Sequence, residues 1–480
     1  GLHNMSNLSE LLPAGAGAKS ADFVASGTLG SGVTVALKAD GTVEAVTGRT
    51  GGTGTAAIFE TGLTRDVSIA CDSANSKIVI GYRDDSNGGY GTSVVGTVSG
   101  TTITFGTPTT YVSSATDYTI VVFDANSGKY VFFYRSASNL GIARVGTVSG
   151  TSISFGAEAT FNNADSLYIA ASYDSTNNKS VVCFRDGANT YPSAAVGTVS
   201  GTSISFGAKN AMASAAGRFS PSSVTFDSAS GKVVAAYRDE TNEYGWTAIG
   251  TVSGTSISFG TPVTFNTSGT TNNITAVFDS TNNKVVLAYL DVTPDTGYAI
   301  VGTVSGTSIS FGSEVDMGVG PISYTSGAFD ASVGKVAIVY RADTTEYGTL
   351  INGTVSGTSI SFETPVVYEV AQTWWNSAVY DSGNETILIA YRDNGNSSYG
   401  TAIGYQNPFS TSTDFIGITD QAIADTATGA VIVQGGVSDK VTGLTANTDY
   451  YVQSDGTISA TVSTVPAGRA LSTTSILLEG

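Results

Sequence analysis

The sequence is nearly empty of the residues on which most catalytic and metal chemistry depends. It has one His and two Cys in 480 residues. Proline is scarce too, at 10, and only 12% of residues are charged, about half the usual share. Each shortage excludes something. Two cysteines cannot build a disulfide framework or a thiolate zinc site. The one imidazole, His3, stands in Gly1-Leu2-His3-Asn4, which reads as an appended remnant ahead of Met5. Without it there is no histidine, and triads or metal centres that need imidazole fall away. Positive charge is also short: Lys+Arg 21 against Asp+Glu 39 leaves a net charge of -18. Nucleic acid and anionic membrane surfaces both call for clustered Lys and Arg, so neither is an expected partner. No run of about 20 apolar residues predicts a membrane span, and no secretory signal peptide is evident. Neither a cofactor nor a metal is expected.

What is abundant is glycine, at 58 residues, together with 23 Tyr and 20 Phe. So many aromatics argue against a disordered chain. The glycine has a pattern. Gly-Thr-Val-Ser-Gly begins at Gly96, Gly146, Gly197, Gly250, Gly302 and Gly353. An aspartate that ends an apolar strand and opens a polar turn recurs at Asp72, Asp124, Asp174, Asp227, Asp279, Asp330 and Asp381. Both series run at about 51 residues, the range of propeller and solenoid repeats.

One repeat shows the local structure. Tyr118 to Phe123 reads as a strand, Asp124 to Lys129 as a turn, and Tyr130 to Arg135 as a strand apolar on both faces. Ile142 to Val148 and Ser152 to Phe155 follow, joined by a Ser-Gly-Thr turn. Asp, Asn and Gly supply the backbone that tight hairpin turns need, and no helical period is present. A four-stranded unit of this size cannot cover both its own faces. Radial stacking does so, which predicts an all-β fold: a seven-bladed β-propeller of four-stranded blades over 51–407. A β-solenoid has far shorter coils, and a string of sandwiches would need larger units. The seventh unit lacks its fourth strand. Residues 53–62, with Phe59-Glu60-Thr61 matched to Phe362-Glu363-Thr364, are expected to supply it and close the last blade.

Residues 21–50 and 408–480 read as short strands, among them Val33 to Leu37, Ala430 to Val433 and Tyr450 to Gln453, with turns at Asp40-Gly41 and Asp455-Gly456. They are expected to form one small β anchoring domain from both chain ends. Residues 1–20 read as an N-terminal arm, its 5–20 part a short helix or mobile segment. These ends also carry a resemblance. Ala21-Asp22-Phe23-Val24-Ala25-Ser26-Gly27 with Val33 to Val43, the later Phe415-Ile416-Gly417-Ile418, and Gly443 to Val452 with Asp455-Gly456-Thr457 and Ala467 to Ser472 resemble segments of bacteriophage tail fibre and virion appendage proteins, especially of marine phages. The resemblance covers about 100 residues. It implies a virion location, other virion proteins as partners through the end domain, and a host surface glycan or receptor as the target. Such appendages are often trimers, although no heptad repeat encodes a coiled coil here.

Comparison among the repeats separates two faces. The first hairpin turn and the Ser-Gly-Thr turn are nearly constant, while the other two connections vary strongly. Strand directions place both chain ends on the constant side, so the end domain is expected to anchor and the variable face to point away. That face carries the candidate ligand-binding residues Tyr90, Tyr191, Tyr244, Trp246, Tyr298, Tyr347, Trp374, Trp375 and Tyr399. They read either as a stacking platform for carbohydrate or as blade caps and inner-strand packing. A Tyr-Arg-Asp theme gives Arg83, Arg135, Arg185, Arg238, Arg341 and Arg392, broken at Leu290. These arginines could hold an anionic glycan; the plainer expectation pairs each with an Asp of its own or the next blade, Asp84, Asp186, Asp239, Asp291 and Asp393 being the following residues. The recurring turn aspartates read as Asx-turn residues, and Cys71 and Cys183 as small buried hydrophobes.

The expected function is a non-catalytic virion appendage that displays the propeller for host attachment. The alternatives are a virion-associated glycosidase, which needs only two carboxylates and has Asp295, Glu243, Glu346 and Asp343 as candidates, and a purely structural virion protein.

Overall fold

Residues 20–479 are described in a computed structural model of the chain; residues 1–4, His3 among them, and all but the last residue of the 5–20 segment lie outside them. The described chain is all-β and divides by its internal contacts into two compact units. One joins both chain ends, through Gly52 and from Asn407. The other spans Thr53–Gln406.

In the unit of the chain ends, a five-stranded sheet runs in the order Ser20–Val24, Thr428–Val433, Phe415–Thr419, Thr34–Leu37, Val43–Ala45. Two strands from the C-terminal end therefore lie between strands from the N-terminal end within one sheet. A second five-stranded sheet comes wholly from the C-terminal end, with Tyr450, Val452, Ala467, Ile476 and Leu478 in its core.

The Thr53–Gln406 unit is built from the repeat. In its first copy, Thr64–Asp72 pairs with Lys77–Asp84, which pairs with Tyr90–Ser99, which pairs with Thr102–Phe105. The second strand is the most deeply buried: Ile78, Val79, Ile80 and Tyr82 are all inaccessible, as a strand covered on both faces must be. The Thr102–Phe105 strand is short, but the sheet edge continues beyond it. Strand Thr109–Asp124 is 16 residues long and serves two repeats. Its first residues pair with Tyr90–Ser93 of the first copy, and its last residues pair with Lys129–Ser136 of the second. The inner strand thus starts well before Tyr118, where the apolar pattern placed it. Ala159–Asp174 and Val366–Asp381 span two copies in the same way.

The repeat glycines have two separate causes. Gly100, Gly150, Gly201, Gly254, Gly306 and Gly357 take φ between 58° and 63° in the hairpin turns, a left-handed conformation that side chains with a Cβ resist. Gly146 and its equivalents face the Ile and Phe of the fourth strand, so closely that a Cβ there would press on Ile153 and Phe155. The turn aspartates act as Asx residues. Asp174 accepts the N–H groups of Thr176 and Asn177 at 3.0 and 2.9 Å, and Asp279 those of Thr281 and Asn282 at 2.9 and 3.0 Å. Cys183 is fully buried and Cys71 partly so; neither is in a disulfide.

The inner strands of successive repeats pack side by side, and that of Val366–Asp381 packs against Thr64–Asp72, so the contacts form a circuit. Serine hydroxyls stitch it: Ser68 accepts the Val121 N–H, Ser326 that of Ala378, and Ser377 that of Ile69. At the other edge of the last repeat, Ala57–Glu60 pairs antiparallel with Tyr399–Gln406. The register differs from the sequence match. Glu60 lies opposite Gly400 as Glu369 lies opposite Gly348, so Phe59 takes the place of Tyr368, not of Phe362. It occupies a series with Tyr111, Phe161, Phe265 and Tyr368, each ring filling the space beside a glycine of the third strand or its equivalent.

Candidate functional site: the axial cavity and its arginine-rich mouth

The inner strands surround a cavity of about 390 Å³ lined by residues from every repeat. At one end of six of the seven inner strands the register with the second strand slips by a bulge, between Asp117 and Ile120 for example. The residue six before the turn aspartate then takes positive φ: Asp66, Tyr118, Tyr168, Asn273, Tyr324 and Trp375, all between 48° and 55°. Asn and Asp tolerate this conformation, whereas bulky aromatics are strained in it. In the fourth repeat the equivalent residue is Pro221, whose ring forbids positive φ. There the inner strand breaks into Gly217–Arg218 and Val224–Asp227. The detour carries Ser222 to within 3.0 Å of Ser326, two repeats away.

The strained aromatics form two groups. Tyr118 and Tyr168 lie with ring centroids 5.5 Å apart. Tyr324, Trp374 and Trp375 make a three-ring cluster at 5.3, 5.4 and 5.8 Å. Arg341 stacks over Tyr324 and Trp374, and Arg392 over Trp374 and Trp375. Asn376 beside them is 5% exposed, and neither of its side-chain polar atoms has a partner. The Trp374 indole N–H is likewise buried without an acceptor. Asp66 is the one carboxylate among the lining residues. It accepts the Tyr118 N–H at 2.9 Å; burial, with Asp117 nearby adding to it, raises its pKa from 3.8 to about 6.

Eight of the eleven arginines in the sequence sit at the cavity mouth, at the ends of first and second strands that face each other: Arg65 opposite Arg83 and Arg218 opposite Arg238, with Arg135, Arg185, Arg341 and Arg392 in the other repeats. Ion pairs form within and across repeats, as a chain from Arg65 through Asp85, Arg83, Asp117 and Arg135 to Asp165, with each N–O distance between 2.5 and 2.9 Å. Arg185 pairs with Glu240, Arg238 with Glu243 and Arg341 with Asp343. The aspartates that directly follow in the Tyr-Arg-Asp theme are not these partners. Asp84 and Asp239 point the other way and accept backbone N–H groups of the next loop, because strand alternation puts neighbouring side chains on opposite faces. Among the described residues, Arg218 and Arg392 have no carboxylate partner; Asn272 and Asn394 accept from them instead.

The nine sequence-nominated residues divide. Trp375 lines the cavity, and Trp374 adjoins it under two guanidinium groups. The other seven, Tyr90, Tyr191, Tyr244, Trp246, Tyr298, Tyr347 and Tyr399, stand at or near the start of the third strands, outside the lining of the cavity. Tyr347 is exposed and the rest are partly buried. No ring contact joins any two of these seven among the described residues. Capping by a tyrosine hydroxyl falls instead to the second-strand series: Tyr82 donates to Glu60, Tyr134 to Glu158, Tyr289 to Glu314 and Tyr391 to Glu369. The positive-φ series went unnoticed in the sequence. Its fixed offset of six residues from the turn aspartate was the available signal, hidden because Asp, Tyr, Asn, Trp and Pro share no chemical class.

No family model matches the chain, and no curated protein does. Solved structures do. A lectin, BP39L from Burkholderia pseudomallei, aligns over 73% of this chain and 99% of its own, with a TM-score of 0.52 and 12% identity. An intramolecular trans-sialidase from Ruminococcus gnavus aligns over 74% of this chain and 97% of its own, with a TM-score of 0.42 and 9% identity. At such identities the lectin match establishes the fold alone, an all-β fold of propeller type.

Proposed function

We propose that this chain is a non-catalytic virion appendage that displays a seven-bladed β-propeller for attachment to a cell-surface glycan. The circuit of inner strands, with Ala57–Glu60 paired to the last repeat, supports the blade count and closure. The phage-like end segments support the virion role, with neighbouring virion proteins as partners. The observation that carries the glycan reading is the strained aromatic rim. Three tyrosines and a tryptophan hold positive φ around the cavity, where Asn273 shows that a less strained residue fits the same position. Strain of order 1–3 kcal/mol per residue persists where a site needs it. Half-buried aromatic rings beside arginines, with the one unpartnered amide of Asn376, suit the apolar faces and hydroxyl groups of sugars.

The glycosidase alternative fares worse on geometry. Asp66 is the one carboxylate in the lining, and the nearby Asp117 is held by Arg83 and Arg135, so the free pair that the chemistry needs is missing. Glu243 accepts from the Thr270 hydroxyl and pairs with Arg238, which in that order keep its pKa low. Asp343 is held by Arg341, and Glu346 accepts from Gln372. Two measurements test the proposal. Labelled full-length chain applied to a glycan panel should bind a subset without releasing reducing ends, and antibody against the chain should decorate virions. Steady release of sugar, or a panel without a single binder, would overturn the glycan reading; unlabelled virions would overturn the appendage reading.

A further inference from the structure

The fourth repeat breaks the symmetry of the ring at a second cavity, of about 330 Å³, that adjoins the first. Arg218 stands nine residues before Asp227, whereas Arg65 stands seven before Asp72. The two extra residues and Pro221 turn the Phe219–Ser223 segment out of the ladder. They leave a niche walled by Arg218 and Arg238 of the fourth repeat, Asn272 and Asn273 of the fifth, and Tyr168 of the third.

The electrostatics of this niche are unfinished. Elsewhere on the mouth the fully paired arginines meet one or two carboxylates each. Here Arg218 and Arg238 both donate to one neutral acceptor, the Asn272 side-chain oxygen, at 2.7 and 2.8 Å. The reason lies across the strand. Asn272 faces Leu290, the one second-strand position without arginine, so no cation of its own repeat competes for its amide. Glu243 neutralises one of the two guanidinium groups at 3.0 Å. The other, Arg218, rests over the Tyr168 ring and meets no carboxylate. The Arg238 Nε is buried with no acceptor, and its side chain is 12% exposed. Burial, then the neighbouring Arg218 charge, weakens the hold of Arg238 on its proton. One amide oxygen between two planar forks, with a donor left over, marks a place where a bidentate anion would replace a poor acceptor by a good one.

We propose that the Arg218–Arg238 niche is the subsite for the anionic substituent of an acidic saccharide, a carboxylate or a sulfate ester. The substituent would lie between the two guanidinium groups, with the Asn273 amide and Ser220 hydroxyl in reach of the sugar hydroxyls and the exposed Pro221 against its ring. This rests on the glycan reading above and adds the charge of the ligand to it. It also gives an acidic chain a local cationic seat for a polyanion that the net charge of -18 would otherwise repel.

Isothermal titration of the full chain tests the niche. The probes are an oligogalacturonate, its carboxyl-reduced neutral counterpart and a sulfated maltooligosaccharide. At least one acidic probe should bind tenfold or more tightly than the neutral one, and which one identifies the substituent. Arg218→Gln should abolish that preference, and Arg218→Lys, which keeps the charge without the fork, should retain part of it. Arg469→Gln, in the other unit, should change nothing, and melting curves verify that each variant folds. Equal binding of neutral and acidic probes, or a preference that survives Arg218→Gln, overturns the niche while the glycan reading stands. Absence of binding by every probe and by the glycan panel overturns both.

Discussion

Replacing Phe59 tests ring closure through the one strand that the repeat pattern assigns to the far end of the unit. Phe59 is 4% exposed, while its neighbour Ile58 on the same strand is 45% exposed. The Phe59 ring lies 5.2 Å from that of Tyr82 in the first repeat and 5.8 Å from that of Phe105, and a Cβ on Gly400 of the last repeat would collide with it. It therefore joins the first and last repeats. A buried Phe ring removes roughly 150–250 Å² from water, worth about 4–6 kcal/mol at ~25 cal/mol per Å². Measured Phe→Ala changes in cores fall at about 3–5 kcal/mol. Phe59→Ala should therefore lower stability by about 4 kcal/mol, or Tm by roughly 5 °C for a unit of this size. Ile58→Ala should cost less than about 1 kcal/mol. Phe161→Ala, the same position between the second and third repeats, is the internal standard and should match Phe59→Ala. Differential scanning calorimetry of the full chain at fixed concentration reads all three. If Phe59→Ala shifts the transition no further than Ile58→Ala, residues 57–60 do not hold the ring together and the closure argument is wrong.

Three other perturbations separate the remaining arguments. Asp279→Ala should cost roughly 1–2 kcal/mol in chemical denaturation, because the turn loses the two hydrogen bonds from the Thr281 and Asn282 N–H groups; Asp279→Asn, which keeps an acceptor oxygen, should cost less than half of that, and equal losses would refute the Asx role. Asp66 holds its proton more tightly folded than unfolded, so its contribution is complete below pH ~4 and is lost as pH rises through about 6. Its size is about 1–2 kcal/mol after allowance for solvent in the cavity, and Asp66→Asn should flatten that part of the stability–pH curve. Tyr324→Asn should leave melting unchanged or slightly raised, since Asn relaxes the backbone, yet weaken binding to whichever glycan the panel selects; loss of stability with intact binding would make the rim structural.

The seven aspartates and six Gly-Thr-Val-Ser-Gly turns were legible because hairpin chemistry is local. An Asx acceptor or a left-handed glycine acts within two or three residues of itself, and each copy repeats the message. Burial on both faces was legible for the same reason, from runs such as Ile78-Val79-Ile80. The outer strand was placed correctly on the last repeat but six residues out of register. Phe59-Glu60-Thr61 copies the letters of Phe362-Glu363-Thr364, while the glycine it must pack beside, Gly400, lies more than 300 residues away in sequence. The Tyr-Arg-Asp theme was visible as a series, and the expected pairing with aspartates of the same or the next repeat holds at Arg83, Arg135 and Arg341; the partners are not the residues that directly follow, because alternation along a strand turns Arg83 and Asp84 to opposite sides. Aromatic residues that vary between copies drew attention to third-strand entrances, where no two of the seven nominated rings meet among the described residues. The rim that does converge uses chemically unrelated residues at one backbone position.

The sequence by itself determined what depends on short range and repetition: an all-β chain, the length of its unit, its hairpin turns, and the absence of imidazole chemistry from every residue after His3. Only the tertiary structure decided which side chains meet around the axis. That meeting depends on the bulge geometry of six inner strands, on Pro221 breaking the seventh, and on Leu290 leaving Asn272 free to accept from two arginines of the preceding repeat. These are contacts between repeats, set by how neighbouring sheets pack, and no single repeat contains both partners.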